Sequence, residues 1–112
     1  MPDDCLFCRL VAGEIPATIV RETDETLAFR DIAPKAPVHV LVIPKAHHAD
    51  IGSLAAADPV LAQRLLAEAA AVAEAEGIGD AWRLGFNTGA AVGQTVFHVH
   101  AHVLGGGRIE GM

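Results

Sequence analysis

The chain has 112 residues, of which 52% are hydrophobic, and a formal net charge of −6 at pH 7. This length predicts a single domain over residues 1–112 with a core large enough for cooperative folding. The acidic charge excludes a protein that binds nucleic acid polymers through a lysine and arginine footprint, so a phosphate ligand would be small and held by local groups.

The N-terminal residues carry no recognisable targeting signal. Residues 1–4 lack a basic segment, and no apolar run approaches the ~18 residues of a membrane span, so we expect a cytoplasmic protein without membrane partners. Cys5 and Cys8 are too few for a disulfide framework. In a reducing compartment, a C-x-x-C pair indicates either half of a metal site or a redox pair.

A short helix is predicted at the start of the chain, over residues 5–12. Leu6, Leu10 and Val11 would lie on one side of it. Gly13 follows, and glycine commonly ends a helix because it adopts the left-handed conformation easily.

Two short strands come next, at residues 19–22 and 26–30, joined by a polar three-residue loop of hairpin length. Two prolines then predict an irregular crossing over residues 31–37. On local sequence alone, Asp31 is either a turn-capping residue or a functional carboxylate.

The third strand is predicted at residues 38–43, which are apolar apart from His39. Such a run indicates a central strand that is buried on both faces. A histidine in that position needs a hydrogen-bond partner. His39 can be a paired core residue, a functional relay, or both.

One long helix is predicted over residues 59–76, because Asp58 can cap its first turn, proline occupies the first helical position and Gly77 ends it. Its apolar stripe comprises Val60, Leu61, Leu65, Ala69 and Val72. Its outward face carries Gln63, Arg64, Glu68 and Glu74.

The end of the chain predicts two more strands. Residues 82–87 form the fourth, residues 88–93 a loop of small residues, and residues 93–106 the fifth. In the fifth strand, alternation would place Phe97, Val99, Ala101 and Val103 in the core and His98, His100 and His102 on the other face.

The three alternating histidines indicate a site that acts on a substrate. Same-face neighbours on a strand lie roughly 7 Å apart, so one metal ion cannot easily hold all three. Separate tasks fit better, with one imidazole acting on the substrate and its neighbours handling a proton, a metal or a phosphate charge. The alternative is a polar strand face that carries histidines by chance.

The segment His98-Val99-His100-Ala101-His102-Val103-Leu104 resembles the pattern that names the histidine triad superfamily of nucleotide hydrolases and transferases. Further segments resemble its Hint branch, in the same order along the chain. They are Cys5-Leu6-Phe7-Cys8, Gly13-Glu14-Ile15-Pro16-Ala17, Leu27-Ala28-Phe29-Arg30-Asp31-Ile32, Pro37-Val38-His39, Leu41-Val42-Ile43-Pro44-Lys45 and Gly93-Gln94-Thr95-Val96.

The resemblance implies an α+β fold. Its parts are a five-stranded antiparallel sheet, which we expect to be a meander, with one long and one short helix. Two chains would pair into a homodimer with a continuous ten-stranded sheet.

The resemblance also implies the site residues. His100 would be the nucleophile, oriented through a backbone carbonyl of its own strand, with His102 protonating the leaving group and His39 ordering both. The nucleotide-binding residues would be Leu6, Phe7, Phe29, Asp31, Ile32, Asn87, Gly93, Thr95 and Val96, supported by Leu10 and Ile15. Asp31 would accept the ribose hydroxyls, and the backbone amides of Gly93 and Val96 would hold the phosphate.

The activity implied is hydrolysis of purine nucleoside 5′-phosphoramidates through a nucleotidyl-histidine intermediate, without an organic cofactor. The alternatives are a dinucleoside polyphosphate hydrolase and a non-catalytic nucleotide-binding or interaction module. Thr95 stands where relatives commonly have serine, and residues 107–112 lack the tryptophan-proline tail of some relatives. The difference in the tail bears on the choice of leaving group, whereas Thr95 keeps the hydroxyl of serine and adds a methyl group.

A structural zinc ion is also implied by the resemblance. Relatives with C-x-x-C use the first triad histidine, here His98, and the histidine after Ile-Pro-Lys-x, here His47, to complete a site begun by Cys5 and Cys8. His48 is the alternative ligand. Two free thiols in a short helix are the alternative to a metal site.

Overall fold

The computed structural model describes residues 5–107 and 109. Residues 1–4 and most of residues 107–112, where the sequence differs from the tail of some relatives, lie outside the described residues. The helices are α1 (Leu6–Val11), α2 (Ile51–Ala57) and α3 (Pro59–Ala75), with a 3₁₀ turn at Ala90–Val92. The strands are β1 (Ile19–Glu22), β2 (Thr26–Arg30), β3 (Val38–Pro44), β4 (Trp82–Gly85) and β5 (Ala101–Gly105).

The sheet within these residues has five antiparallel strands in the order β1-β2-β3-β5-β4. The predicted α+β class and the hairpin at β1 and β2 are confirmed, but the predicted meander is wrong. β5 lies between β3 and β4, so that His102 pairs with Leu41 on one side and Gly85 on the other. The apolar face of β5 is fully buried, whereas β4 exposes Leu84 and occupies the edge.

Helices cover the two faces of the sheet unequally. On one face α3 packs against β2, β3 and β5, with Leu65 and Ala69 fully buried above Val103. On the other face α1 covers Phe29 and Leu41. This second face carries His39 and His102, so the smaller core lies beside the histidines.

The long helix forms largely as predicted. The Asp58 carboxylate accepts the Leu61 N–H at 3.0 Å, and a proline opens the first turn. Leu61, Leu65, Ala69 and Val72 are buried, as the stripe predicts. Val60 is 54% exposed, which corrects its assignment to the core.

The sequence analysis did not predict α2, and it placed Leu6 of α1 on the same side as Leu10, which is wrong. α2 has seven residues, opens on a cap in which Asp50 accepts the Ser53 N–H at 2.8 Å, and buries only Leu54. One buried leucine produces no periodic signal in the sequence. In α1, Phe7 and Leu10 face the core and Leu6 is exposed.

The fifth strand is much shorter than the predicted 93–106, since β5 begins at Ala101. Phe97, predicted to enter the core, is 52% exposed, because the chain reaches β5 as an irregular segment rather than as an alternating strand. The fourth strand also ends early, at Gly85 rather than at residue 87. No helix in the described part of the chain is long and apolar enough to cross a membrane.

Candidate active site

The three triad histidines do not form one row. His100 and His102 are neighbours, with ring centroids 4.9 Å apart, and both line a cleft beside α1. His98 is fully buried and faces His47, with ring centroids 5.1 Å apart. The irregular segment before β5 turns His98 away, so the triad serves two separate sites.

His100 is held in one tautomer by its own backbone. Its Nδ1 lies 2.9 Å from the carbonyl oxygen of His98, which can only accept a hydrogen bond, so Nδ1 carries the proton. In the neutral ring the lone pair is then on Nε2. Phe7 packs edge-on against the imidazole at 5.1 Å between ring centroids and fixes its orientation.

His39 and His102 form a second chain of fixed tautomers. The Lys35 N–H donates to Nδ1 of His39 at 3.0 Å, so the proton of His39 is on Nε2. That Nε2 donates to Nδ1 of His102 at 2.9 Å, which leaves the His102 proton on Nε2. The N–H of His102 therefore remains available to a molecule in the cleft, because it is buried without a partner among the described residues.

Burial keeps both of these rings neutral at pH 7. It lowers the pKa of His102 to about 4, assisted by the neighbouring His100 and His39, while the Asp31 carboxylate acts in the opposite direction. Burial also lowers the pKa of His39. Neutral rings are what the tautomer assignments require.

The cleft beside these histidines has a volume of about 660 Å³. Its walls are Leu6, Phe7, Leu10, Ile15, Pro16, Ala17, Thr18, Phe29, Arg30, Asp31, Ile32, Leu41, Gly93, Thr95, Val96, His100 and His102. Every predicted nucleotide-binding residue except Asn87 is among them. Asn87 lies next to the cleft, because its amide nitrogen is 3.5 Å from the point where a Cβ on Gly93 would be.

Asp31 caps a turn and also lines the cleft. One carboxylate oxygen accepts the Ala33 N–H at 2.8 Å, as a turn-capping aspartate does. The other lies 3.4 Å from Nε2 of His39. Because Asp31 also lines the cleft, it can cap the turn and still present lone pairs to a ligand.

The loop that precedes the histidines contains a residue that sequence reasoning missed. Gln94 is only 2% exposed, and its side chain binds the backbone of Gly89, Ala49 and Val96. A polar residue within a glycine-rich loop is unremarkable in sequence, so no local signal identifies it. The N–H of Gly93, predicted to bind phosphate, already donates to Ala90 at 3.1 Å.

Four potential metal ligands converge at the N-terminus of α1. They are Cys5, Cys8, His47 and His98, whose ligand atoms all lie within 4.8 Å of one another. Nδ1 of His98 is 3.4 Å from each sulfur, and the two Nδ1 atoms are 3.3 Å apart. A tetrahedral zinc ion with bonds of about 2.0–2.3 Å separates its ligands by about 3.3–3.8 Å. The cluster excludes His48, the alternative ligand.

His98 carries its proton on the ring nitrogen that faces away from the two cysteines. Nε2 of His98 lies 2.7 Å from the Pro44 carbonyl and donates to it, so Nδ1 of the neutral ring is an acceptor. Burial lowers the pKa of His98 to about 4. Burial, followed by the neighbouring Cys5 thiol, raises the pKa of Cys8 to about 12 in the metal-free chain.

Fold and site together define an α+β domain in which two neighbouring imidazoles face an apolar cleft. A family model described as the HIT domain matches residues 12–109. The chain therefore belongs to the HIT family, and the predicted resemblance to histidine triad proteins is confirmed.

Individual relatives agree with this assignment. The chain is 40% identical to the purine nucleoside phosphoramidase of Escherichia coli K12 over 107 residues, which are 95% of this chain and 90% of the relative. It is 41% identical to a 14 kDa zinc-binding protein of Brassica juncea, over 92% of this chain and 93% of the relative. The crystal structure of a HIT family hydrolase from Legionella pneumophila matches with a TM-score of 0.89 and 47% identity, over 94% of this chain and 95% of the other.

Proposed function

We propose that this protein hydrolyses purine nucleoside 5′-phosphoramidates, or closely related nucleoside phosphate conjugates, through a nucleotidyl-His100 intermediate. The observation that carries the proposal is the bond of 2.9 Å from Nδ1 of His100 to the His98 carbonyl, which leaves an unprotonated Nε2 beside the cleft. The similarity to the Escherichia coli purine nucleoside phosphoramidase supports the same substrate class.

The first chemical step is attack of His100 Nε2 on the α-phosphorus. The phosphorus–nitrogen bond breaks, its electron pair goes to the nitrogen, and the amine takes up a proton. His102 lines the same cleft and is placed to deliver it as an imidazolium. The negative charges of the bound phosphate and of Asp31 favour protonation of His102 when the substrate binds, and loss of one proton to the amine returns its ring to the neutral form.

Water completes the cycle. It attacks the phosphorus of the intermediate and gives one proton to the neutral ring of His102, which restores the imidazolium. The bond to Nε2 of His100 breaks, and His100 regains its lone pair as nucleoside 5′-monophosphate leaves. His39 touches neither reacting atom, but holds His102 with Nε2–H outwards.

Substrate binding divides between the two ends of the cleft. The base would lie between the apolar walls formed by Phe7, Phe29 and Ile32, while Asp31 accepts the ribose hydroxyls. Thr95 and the amide of Val96 would hold the phosphoryl oxygens, with Asn87 adjacent. The Gly93 amide is omitted from this role because it is already engaged.

A turnover panel tests this function. Adenosine 5′-phosphoramidate and diadenosine polyphosphates are offered to the protein at equal concentration, and product release is measured. We expect a higher kcat/KM on the phosphoramidate. Preference for the polyphosphates would support the dinucleoside polyphosphate alternative, and failure to turn over either substrate despite nucleotide binding would leave a binding module.

We also propose that Cys5, Cys8, His47 and His98 bind a structural zinc ion. The donor set fits, since two thiolates and two imidazoles are the ligands of closed tetrahedral zinc sites, and all four ligand atoms converge. The relative from Brassica juncea that is named as zinc-binding supports the assignment. Bound zinc would supply a cross-link between α1 and the segment before β5.

A further inference from the structure

The side-chain oxygen and nitrogen of Gln94 form three hydrogen bonds, all with backbone groups. Its carbonyl oxygen accepts the Gly89 N–H at 2.8 Å. Its amide nitrogen donates to the Ala49 oxygen at 2.7 Å and to the Val96 oxygen at 3.1 Å. Since the residue is 2% exposed, these bonds are shielded from water.

The loop from Gly89 to Gln94 is already closed on itself. The Val92 and Gln94 amides both donate to the Gly89 oxygen, at 3.3 and 3.1 Å. Gly89 and Gly93 adopt φ angles of 94° and 96°, which other residues rarely reach. Such a loop has a defined shape, but its internal bonds do not determine where it sits relative to the cleft.

Gln94 supplies that missing connection. Its hydrogen bond to the Ala49 oxygen joins the loop to the segment between β3 and α2. Its hydrogen bond to the Val96 oxygen fixes the backbone two residues further along the chain. Thr95 lies between these two attachment points and lines the cleft. A second connection to the same segment lies at Val99, whose N–H donates to the His48 oxygen at 2.7 Å.

We propose that Gln94 is a positioning residue for the phosphate end of the cleft. It does not touch the substrate. It holds Thr95 and Val96 at the distance from His100 at which they can bind phosphoryl oxygens, by fixing the loop to Ala49. This inference rests on the proposed function for the identity of the ligand, but the clamp itself is a property of the free protein.

The test compares Gln94→Met, which keeps the side-chain volume and loses every hydrogen bond, with Gln94→Glu, which can still accept from Gly89 but cannot donate to Ala49 or Val96. Gln63→Met, on the exposed face of α3, is the matched control. Amide exchange measured by NMR reports on the clamp directly. In Gln94→Met, we expect faster exchange at Gly89 and unchanged exchange at Val99, whose amide binds backbone.

Ligand binding then separates a positioning role from general instability. Adenosine 5′-monophosphate and adenosine are titrated separately into each variant. We expect both Gln94 variants to bind the monophosphate about tenfold or more weakly than wild type, because each loses hydrogen bonds that position the loop. A tenfold change in affinity corresponds to about 1.4 kcal/mol of binding free energy. Adenosine binding should be unchanged, because the base slot lies at the other end of the cleft.

Three results would overturn the inference. One is exchange of the Gly89 amide in the wild-type protein as rapid as that of an exposed loop amide, a measurement that requires no variant to fold. Another is retention of the full preference for monophosphate over adenosine in Gln94→Met. The third is equal loss of affinity for both ligands. Absence of phosphoramidate turnover in wild type, with these binding differences intact, would overturn the proposed function and leave the clamp standing.

Discussion

The carbonyl oxygen of His98 decides which nitrogen of His100 can react. By accepting from Nδ1 at 2.9 Å, it leaves the lone pair on Nε2 and removes the unproductive tautomer. The backbone N–H of Lys35 makes the equivalent choice for His39 and, through it, for His102. Backbone groups thus assign the proton of every ring in the cleft.

His100→Ala is expected to abolish turnover while nucleotide binding remains measurable, because it removes the nucleophile but leaves Asp31 and the apolar walls of the cleft. His100→Gly should behave in the same way. The measurement is kcat on adenosine 5′-phosphoramidate, combined with affinity for adenosine 5′-monophosphate.

The positive control for His100 is covalent trapping. Radiolabelled nucleotide should remain on wild-type protein denatured with detergent at alkaline pH, where the phosphorus–nitrogen bond is stable, and not on either variant. A variant that retains more than about a tenth of the wild-type kcat would remove His100 from the nucleophile role, since loss of a nucleophile normally costs several orders of magnitude.

The buried histidines predict a loss of stability in mild acid. Burial holds the pKa of His102 at about 4, whereas the unfolded chain takes up this proton near pH 6.5. The unfolded state therefore binds more protons between these values, and the free energy of unfolding falls as the pH is lowered from about 6.5 to about 4. His102 alone contributes about 1–2 kcal/mol of this loss by pH 5.

Urea unfolding of wild type and His102→Gln at pH 7 and pH 5 measures this effect. The glutamine cannot titrate, so the difference in free energy between the two pH values should be smaller in the variant. Burial also lowers the pKa of His39, so His39 accounts for part of the remaining difference. An identical difference in both proteins would contradict the assigned burial of His102.

Site residues were predictable from the sequence where they form a distinctive pattern within one short segment. The alternation of His98, His100 and His102 and the pair Cys5 and Cys8 identified the groups that the structure brings to two sites. Gln94 was not predictable in the same way, because its three partners are backbone atoms at residues 49, 89 and 96. Backbone contacts between distant segments leave no mark on side-chain spacing.

At the level of the elements, the cluster of Cys5, Cys8, His47 and His98 joins α1 to two other segments of the chain, and the proposed zinc ion would tie them together. α1 has only six residues, which is too short to be stable alone, and it buries Phe7 and Leu10 against the sheet. Chelation is therefore expected to lower the melting temperature more than it lowers kcat per folded molecule, because His100 and His102 are not among the four ligands.

Elemental analysis of protein purified without chelator should find one zinc per chain, and Cys5→Ala should melt at a lower temperature than wild type. Arg9→Ala, an exposed change within the same helix, serves as the control. Zinc-free protein, or unchanged melting of Cys5→Ala, would show that the cysteines are free thiols.

Secondary structure was predicted best for one hairpin and for the longest helix. The hairpin of β1 and β2 and the helix α3 agree with the sequence pattern almost residue by residue. The alternation at residues 93–100 was misleading, because Gln94, His98 and the Val99 amide bind the end of β3 and the residues after it, at positions 44–49, through single hydrogen bonds and not through a regular strand ladder. Hydrogen bonds of this kind replace the regular backbone pairing of a strand without changing the spacing of apolar residues in the sequence.

At the scale of the whole molecule, we predict a homodimer. β4 lies at the edge of the sheet, and three apolar side chains on this strand and on α3 are exposed, at 36% for Leu84, 54% for Val60 and 44% for Leu66. An edge strand with apolar surface favours pairing with a second copy into the predicted ten-stranded sheet.

Light scattering at micromolar concentration should give twice the chain mass of 11.7 kDa. Leu84→Glu, which introduces a charge on the edge strand, should shift the protein towards the monomer, whereas Gln63→Glu should not. A wild-type mass near 11.7 kDa would exclude a stable dimer under these conditions.

The insertion of β5 between β3 and β4 determines the order in which the molecule can fold. β4 has no neighbour in the sheet until β5 is in place. The bond between His39 and His102 joins residues 63 positions apart, and closing so long a loop costs conformational entropy before the contacts that offset it can form. The early hairpin and α3 can form locally, whereas the paired imidazoles assemble only with the late strand. A chain in which β5 has not yet joined the sheet therefore cannot pair His39 with His102, even where the hairpin and α3 have formed.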